Sequence, residues 1–204
     1  LPFKRISFGP DGQFVEDTAL CLPGLAVMMR PMAKSRRGEV SPMRDVLSNM
    51  FDKITDITDG FIEAGDILTT HSEVMVGLSE RTDMAGVGQL NTILSEHGFK
   101  MRVMKTPCDV LHLKTDCSLL DHNCILSTER LASTGCFEGY ELLIVPAGEE
   151  LAANLIRVND HVIMPSGFSK TESMLDDRGL KLLVVGNSEC AKIDGGMSCL
   201  SLRY

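Results

Sequence analysis

The chain has 204 residues, of which 44% are hydrophobic, and this length and composition indicate a single folded domain with one sizeable core. A formal net charge of −8, without a basic run longer than Ser35–Arg37, argues against nucleic acid as a partner and suits small cationic ligands. No apolar run approaches the roughly 18 residues that cross a bilayer, and the seven cysteines are scattered in a way that predicts neither disulfides nor a metal site. We therefore expect a cytoplasmic protein without a membrane partner.

A β-hairpin, a helical stretch and a further strand recur four times along the chain. The hairpin turns are predicted at Gly24, Ser72, His122 and Asp160, at intervals of 38 to 50 residues. Such intervals are typical of a propeller or solenoid unit rather than of a single parallel crossover. The pattern therefore predicts an α/β fold built from ββαβ modules arranged around an axis.

Local signals predict where the elements of each module begin and end. The predicted helix boundaries are an N-cap at Ser41 before Pro42, a helix from about Asp83 to His97 that ends at Gly98, and a capping box of Ser169 and Glu172 before a helix that ends at Gly179. The predicted strands are, in chain order, 18–22, 25–30, 66–69, 74–77, 100–105, 142–145 and 181–185.

The two ends of the chain predict parts of one further module. Cys199–Tyr204 resembles a first strand with no partner after it, and Phe3–Phe8 resembles a closing strand with no partner before it. The missing hairpin strand and helix would have to precede Leu1. We therefore expect a sequence that is truncated at its N-terminus, with about four complete modules and two orphan strands.

The residues that can carry chemistry lie in the loops that lead into the first strand of each module. If the modules surround an axis, these loops converge at one end of it and form one pocket. A thiol, an imidazole and several carboxylates in one pocket suit nucleophilic attack on a cationic carbon, because the acids would repel an anion. The residues at equivalent places are Glu16, Asp17, Glu63, His112, Asn154 and Cys199.

Each of these residue types also has a common structural role. An intracellular cysteine is usually a small buried hydrophobe, and a histidine between apolar neighbours, as in Leu111-His112-Leu113, is usually a core histidine. Acids beside glycine or threonine are usually turn or capping residues. Arg36 and Arg37 could form a solvated pair on a loop, and Arg81 could pair with a neighbouring acid. The recurrence of polar residues at one point of successive modules favours a site.

Four separated motifs resemble those of the guanidine-modifying pentein enzymes, and among these the dimethylargininases most of all. They are Phe14-Val15-Glu16-Asp17, Glu63-Ala64-Gly65-Asp66, Leu111-His112-Leu113-Lys114 and Asp194-Gly195-Gly196-Met197-Ser198-Cys199. The resemblance runs from about Asp11 to Tyr204. It implies a five-bladed α/β propeller of ββαβ modules around a central substrate channel, with the N-terminal part of one blade missing here.

The resemblance also implies roles for particular residues. Cys199 matches the family's nucleophile, His112 its general acid and base, and Glu63 the carboxylate that completes the triad. The residues that match its substrate-binding positions are Asp11, Phe14, Glu16, Asp17, Arg36, Arg81, Ile193 and Asp194. Among these, Arg36 and Arg81 match the arginines that hold the substrate's carboxylate. The resemblance implies no metal and no cofactor.

The activity implied is hydrolysis of Nω-methylated arginines to citrulline and methylamines through a covalent cysteine adduct. The partner is then a small-molecule methylarginine, and a homodimer is compatible with this function. Arginine deiminase or another pentein chemistry is the nearest alternative, although Lys114 differs from the aspartate that arginine deiminases carry two residues after their histidine. An alternative of another class is a non-catalytic arginine-binding or interaction fragment.

Overall fold

Four modules of the same topology form the part of the chain that this computed structural model describes, residues 11–204. The strands are β1 (Ala19–Leu22), β2 (Leu25–Met28), β3 (Ile54–Asp56), β4 (Ile67–Thr69), β5 (Val74–Leu78), β6 (Met101–Lys105), β7 (Cys117–Asp121), β8 (Cys124–Ser127), β9 (Glu141–Ile144), β10 (Ile156–Val158), β11 (His161–Pro165) and β12 (Lys181–Val185). The helices are α1 (Val40–Leu47), α2 (Met84–Glu96), α3 (Glu129–Ala132), α4 (Ser169–Asp176) and α5 (Ser188–Ala191).

Each module contains one three-stranded mixed sheet. Its first two strands form an antiparallel hairpin, and its third strand lies parallel to the second after a helical crossover. All four predicted hairpin turns are confirmed. In the first, Leu22 pairs with Leu25, and Gly24 adopts a φ of +77°, a conformation that glycine reaches without a steric penalty. The predicted α/β fold of ββαβ modules is thus confirmed.

Helix α2 begins and ends where local signals place it. The Asp83 side chain accepts a hydrogen bond from the Gly86 N–H as its N-cap, and Gly98 follows the helix with a φ of +78°. No α-helix within residues 11–204 is long and apolar enough to span a membrane.

Two predicted helix starts are wrong. Helix α1 begins at Val40, so Ser41 lies inside its first turn and does not cap it. Ser169 is the first residue of α4 and its side chain makes no capping hydrogen bond. The buried carboxylate of Glu149 instead accepts hydrogen bonds from the Lys170 and Thr171 N–H groups, at 3.1 and 2.7 Å. This acid lies some twenty residues upstream, so a local capping pattern could not reveal it.

The loops that precede the first strands form a chain of contacts around one end of the molecule. The 3-10 turn Val15–Thr18 contacts Ala64–Asp66, which contacts Leu113–Thr115, which contacts Glu150–Ala153. The 3-10 turn Ser198–Leu200 packs against Val15–Thr18. Strand β4 also lies beside β7, and β7 beside β10. The loops therefore converge as expected, whereas the total of five blades stays a prediction.

Apolar clusters join neighbouring modules. One contains Leu25 and Val27 of the first module with Val76 and Leu90 of the second, and two others join the second module to the third and the third to the fourth. Burial of apolar surface contributes roughly 25 cal/mol for each Å² removed from water. Because each of these three clusters draws on two modules, the clusters fix neighbouring modules, and the site loops that they carry, relative to each other.

The chain end differs from the expected strand. Ser198–Leu200 is a 3-10 turn, and 201–204 pairs with no strand among the described residues. A strand requires a hydrogen-bonded neighbour, and the part of the chain described provides none for this segment. The predicted strand Phe3–Phe8 lies outside the described residues.

Candidate active site

A buried histidine and glutamate form the centre of the site. His112 Nε2 lies 2.8 Å from Glu63 Oε2, and the Glu63 side chain is fully buried. The other oxygen of Glu63 accepts a hydrogen bond of 3.1 Å from the Met32 N–H. Both residues stand at the N-terminal edge of a 3-10 turn in extended backbone, so their side chains project from equivalent places in neighbouring modules.

Asp17 completes a cluster with His112 and Glu63. One oxygen of Asp17 accepts a hydrogen bond of 3.0 Å from the Gly65 N–H. A β-carbon at Gly65 would lie 2.6 Å from this Asp17 oxygen and 2.8 Å from the His112 ring. Only glycine therefore allows the backbone to pass between the two side chains. Ala64 does not have a positive φ, so alanine fits the neighbouring position.

Arg36 forms a buried ion pair with Asp17. Its guanidinium donates to Asp17 Oδ2 at 2.6 Å, to Glu39 Oε2 at 2.8 Å and to the Phe14 carbonyl at 2.8 Å. Arg36 is 6% exposed, and its two acidic partners are buried with it. Buried charges require such close partners, because an unpaired charge in the interior is costly. These partners engage Nε, Nη1 and Nη2 of Arg36, and its expected contact with a substrate carboxylate stays a prediction.

The acids around His112 favour its protonated form. Burial opposes the charge, but the hydrogen bond to Glu63 and the charges of Asp17 and Asp66 raise the pKa of His112 to about 9. The imidazole therefore carries a proton at neutral pH. Asp66 also fixes the loop of His112, because its Oδ1 accepts a hydrogen bond of 2.9 Å from the Leu113 N–H.

The same three side chains have the spacing of metal ligands. One ligand atom each from Asp17, Glu63 and His112 lies within 4.8 Å of the others. A protonated imidazole has no lone pair to offer, and the hydrogen bonds described above occupy oxygens of both acids. The cluster is thus better suited to hold a proton, or an organic cation beside it, than a metal ion.

Glu16 links the centre of the site to the loop of Cys199. Its Oε1 accepts a hydrogen bond of 2.6 Å from Lys114 Nζ, and its Oε2 accepts one of 2.8 Å from Ser198 Oγ. Both side chains of the Lys114–Glu16 pair are buried. Ser198 directly precedes Cys199, so this acid positions the loop of Cys199.

Cys199 lies in the 3-10 turn Ser198–Leu200 and is partly exposed. Burial of its thiol and the negative charge of Glu16 raise its pKa to about 11. The thiol is therefore protonated at neutral pH until another positive charge comes close. Asn154 Nδ2 lies 3.8 Å from Cys199 Sγ.

The remaining predicted site residues differ in how closely they approach this cluster. Phe14 packs on the glycine loop, since a β-carbon at Gly195 would lie 2.6 Å from its ring. Asp11 accepts the Phe14 N–H through its backbone carbonyl. Ile193 and Asp194 are exposed, and no hydrogen bond or ion pair within residues 11–204 joins their side chains to the cluster. Asp194 has a φ of +60°, an uncommon conformation for a residue other than glycine.

Arg81 is the predicted carboxylate-binding arginine that faces outward. Its Nη1 lies 3.9 Å from Glu63 Oε1, and a third of its side chain, 33%, is exposed. An interaction of this length leaves most guanidinium N–H groups free to bind another anion. Arg81 thus stands beside the buried cluster with donors available.

We expect the protein to lose stability as the pH rises from about 6.5 to about 9. A histidine whose pKa is higher in the folded protein contributes fully below its unfolded value of 6.5, and the contribution disappears through the folded value of about 9. The loss in free energy of unfolding is up to about 3 kcal/mol. Urea unfolding at successive pH values measures it. His112→Asn should remove this slope, and an identical slope in the variant would show that another group titrates.

Sequence reasoning missed several residues on which this geometry depends. Asn154 occupies the equivalent place in the fourth module, but that position alone predicts no role. Asp66 and Ser198 carry no signal of their own, because their partners Leu113 and Glu16 are 47 and 182 residues away along the chain. Glu39 bonds Arg36 only three residues away, a spacing that solvated ion pairs share. Asp66 lies in the motif Glu63–Asp66, and Ser198 lies in the motif Asp194–Cys199. Membership of these motifs is the one sequence signal for their importance.

The repeated ββαβ modules, with an imidazole, a thiol and buried acids on converging loops, are those of a pentein-type guanidine-modifying enzyme. A family model described as arginine deiminase matches residues 10–142. The N(G),N(G)-dimethylarginine dimethylaminohydrolase of Pseudomonas aeruginosa is 39% identical over 197 residues, which cover 96% of this chain and 77% of that protein. The chain therefore belongs to the dimethylarginine dimethylaminohydrolase family.

Solved structures agree with this assignment. The Pseudomonas aeruginosa enzyme, as a cysteine-to-serine mutant complexed with citrulline, matches with a TM-score of 0.92 and 38% identity over 96% of this chain and 77% of that one. A dimethylarginine dimethylaminohydrolase in which a histidine is replaced by glycine, present as an adduct with S-methyl-L-thiocitrulline, also matches with a TM-score of 0.92 at 38% identity and the same coverage.

Proposed function

We propose that this chain hydrolyses Nω-methylated arginines to citrulline and methylamines, with Cys199 as the nucleophile. The observation that carries the proposal is the buried His112–Glu63 pair beside Asp17, on loops that converge with the loop of Cys199. Membership of the dimethylarginine dimethylaminohydrolase family supports it. So does the bound citrulline in the Pseudomonas aeruginosa relative, because citrulline is the product we propose.

The acids of the site suit the substrate's guanidinium. Although burial opposes it, the charges of His112 and Arg36 lower the pKa of Asp17, which is therefore ionised at neutral pH. A cation beside Asp17 and Glu63 meets carboxylates whose positions are already fixed by backbone N–H groups. We place the guanidinium there, where its binding requires little reorganisation of the protein.

Substrate binding also activates the thiol in this mechanism. The pKa of Cys199 is raised in the free protein, so thiolate must form when the positively charged guanidinium arrives beside it. The thiol proton passes to solvent, and Sγ forms a bond to the guanidinium carbon. The methylated nitrogen then takes a proton from His112, its bond to carbon breaks, and methylamine or dimethylamine leaves.

Water completes the reaction. The amidino thioether on Cys199 keeps a positive charge, which the surrounding carboxylates stabilise. His112, now neutral, removes a proton from water as the oxygen attacks the same carbon. The C–S bond breaks and thiolate leaves. The proton of the added hydroxyl passes to this thiolate, so neutral citrulline is released and Cys199 is again a thiol. His112 returns to its protonated state with the proton that water supplied.

Arginine deiminase activity is the second candidate, because the arginine deiminase family model matches residues 10–142. The two activities differ in the amine released. The purified protein should release citrulline with dimethylamine from asymmetric dimethylarginine and little citrulline from arginine. Ammonia released from arginine at a comparable kcat/KM would instead support the deiminase. Absence of citrulline from both substrates would support a binding protein.

We expect Arg81→Ala to raise KM for methylarginine with a smaller effect on kcat. A lost charge-assisted pair to the substrate's carboxylate costs about 2–4 kcal/mol. Agmatine, which lacks that carboxylate, should be a poor substrate for the unmodified protein and should be affected little by the substitution. Arg44→Ala is the matched control, because Arg44 on α1 has a similarly exposed side chain, 35% against 33%, and pairs with Asp56. Equal kcat/KM for agmatine and methylarginine would contradict the pocket assignment.

We further propose the cytoplasm as the location. All seven cysteines lie within the described residues and are free thiols. A reducing compartment keeps a nucleophilic thiol and its neighbours in that state.

A further inference from the structure

The side chain of Asn154 makes two contacts with the loop of the nucleophile. Its Oδ1 accepts a hydrogen bond of 2.8 Å from the Ser198 N–H, and its Nδ2 lies 3.8 Å from Cys199 Sγ, within hydrogen-bond range for sulfur. Asn154 is 5% exposed. A nearly buried amide thus touches both the reacting sulfur and the backbone of the residue before it.

The orientation of this amide follows from its partners. The Ser198 N–H can only donate, so the amide oxygen must face it. The amide nitrogen then faces Cys199 Sγ and offers it a hydrogen. This donor matters most when the sulfur is negative, because a hydrogen bond to an ionised acceptor is roughly twice as strong as one between neutral groups.

The surroundings hold Asn154 in this position. Ser118 Oγ lies 2.6 Å from the Ala153 carbonyl and 2.9 Å from the Leu155 carbonyl, which share its single O–H, and it accepts a hydrogen bond from the Leu155 N–H. These contacts fix the backbone on both sides of Asn154. A β-carbon at Gly196 would lie 2.2 to 2.6 Å from the amide atoms of Asn154. Glycine at this position therefore leaves the space that the amide fills.

We propose that Asn154 is a further catalytic residue, which donates a hydrogen bond to the Cys199 thiolate and fixes its loop through Ser198. The proposal rests on the function proposed above. The amide stabilises the thiolate formed on substrate binding and the thiolate that leaves when the C–S bond of the adduct breaks. It transfers no proton. Its neutral donor offsets part of the effect of Glu16, whose negative charge opposes the thiolate.

Asn154→Asp separates the two contacts. Aspartate has almost the same shape and keeps an acceptor for the Ser198 N–H, but it replaces the donor to sulfur with a negative charge. At a pH below the thiol's pKa, alkylation by iodoacetamide follows the thiolate fraction, and a rise of one pKa unit slows it tenfold. The rate is measured at several pH values for the peptide that contains Cys199, identified by mass spectrometry.

We expect at least a tenfold slower alkylation of Cys199 in Asn154→Asp at pH 8, a pH profile displaced to higher pH, and a comparable fall in kcat with little change in KM. Asn91→Asp adds the same charge at an exposed position on α2 and should leave the profile unchanged. An unchanged profile for Asn154→Asp would overturn the proposal. Because the added charge by itself also opposes the thiolate, a displaced profile needs agreement from a variant that disturbs the amide without adding a charge.

A second variant keeps the test decisive if the aspartate variant does not fold. Gly196→Ala would displace the amide without changing any charge, and it should also slow alkylation of Cys199. Unchanged alkylation in a folded Gly196→Ala protein would again overturn the proposal. Failure of the unmodified protein to release citrulline would refute the proposed function instead, so the two failures are distinguishable.

Discussion

Replacing Cys199 with serine should abolish citrulline production while leaving the fold intact. A serine hydroxyl has a far higher pKa than a thiol, so a neighbouring guanidinium cannot ionise it, and we expect kcat to fall at least about 1,000-fold. Steady-state turnover of asymmetric dimethylarginine measures the loss, and a thermal melt measures the fold. The structure supports a neutral effect on folding, because the two side chains are nearly the same size and Cys199 is only partly buried.

Cys108→Ser is the matched control for this prediction. Cys108 is an exposed free thiol four residues before His112, and no hydrogen bond or ion pair within residues 11–204 joins its side chain to the site. Its substitution should therefore leave turnover unchanged. Turnover by Cys199→Ser within tenfold of the unmodified protein would eliminate the covalent mechanism. A loss of turnover in both variants would point to a general effect of cysteine replacement.

The substitution His112→Asn should reduce kcat for dimethylarginine by about 100- to 10,000-fold, because one imidazole performs both proton transfers in the proposed reaction. With S-methyl-L-thiocitrulline as the substrate, the rate of adduct formation should fall less than with dimethylarginine. Its leaving group, methanethiol, needs protonation less than an amine does. The variant is therefore expected to accumulate a covalent adduct on Cys199 that hydrolyses slowly. Rapid quenching followed by mass spectrometry of the intact protein measures both phases.

His122→Asn serves as the control, since His122 is an exposed hairpin residue. An His112→Asn protein that hydrolyses its adduct as fast as the unmodified protein would assign the proton transfers to another group. The nearby acids Asp17 and Asp66 would then be the next groups to replace.

The modules could be predicted from the sequence because the signals for them are local. A turn such as Pro23-Gly24 needs only the conformation of Gly24, and helix α2 carries its own N-cap in Asp83 and its own end at Gly98. Helix α4 shows the limit of this reasoning. Its N–H groups are capped by Glu149, from a different loop, and no local pattern contains that information.

In the candidate site, too, some features could be predicted from the sequence and others could not. The positions of Glu63 and His112 follow from the repeat, because equivalent loops of neighbouring modules meet at one end of the fold. The direction of a long side chain does not follow from the repeat. Arg36 turns to Asp17 and Glu39, and Glu16 turns to Lys114 and Ser198, because buried charges must find the partners that the folded chain provides. The sequence could indicate which loops meet but not how their charges pair.

Trapping of the covalent adduct identifies the group that attacks the substrate. The unmodified protein is mixed with asymmetric dimethylarginine, quenched in acid during turnover, digested, and mapped by mass spectrometry. We predict that the amidino thioether is found on the peptide that contains Cys199, on no other cysteine peptide, and only while substrate remains. Citrulline release during the same turnover, with no adduct on Cys199 at any quenching time or with the adduct on another residue, would contradict the account.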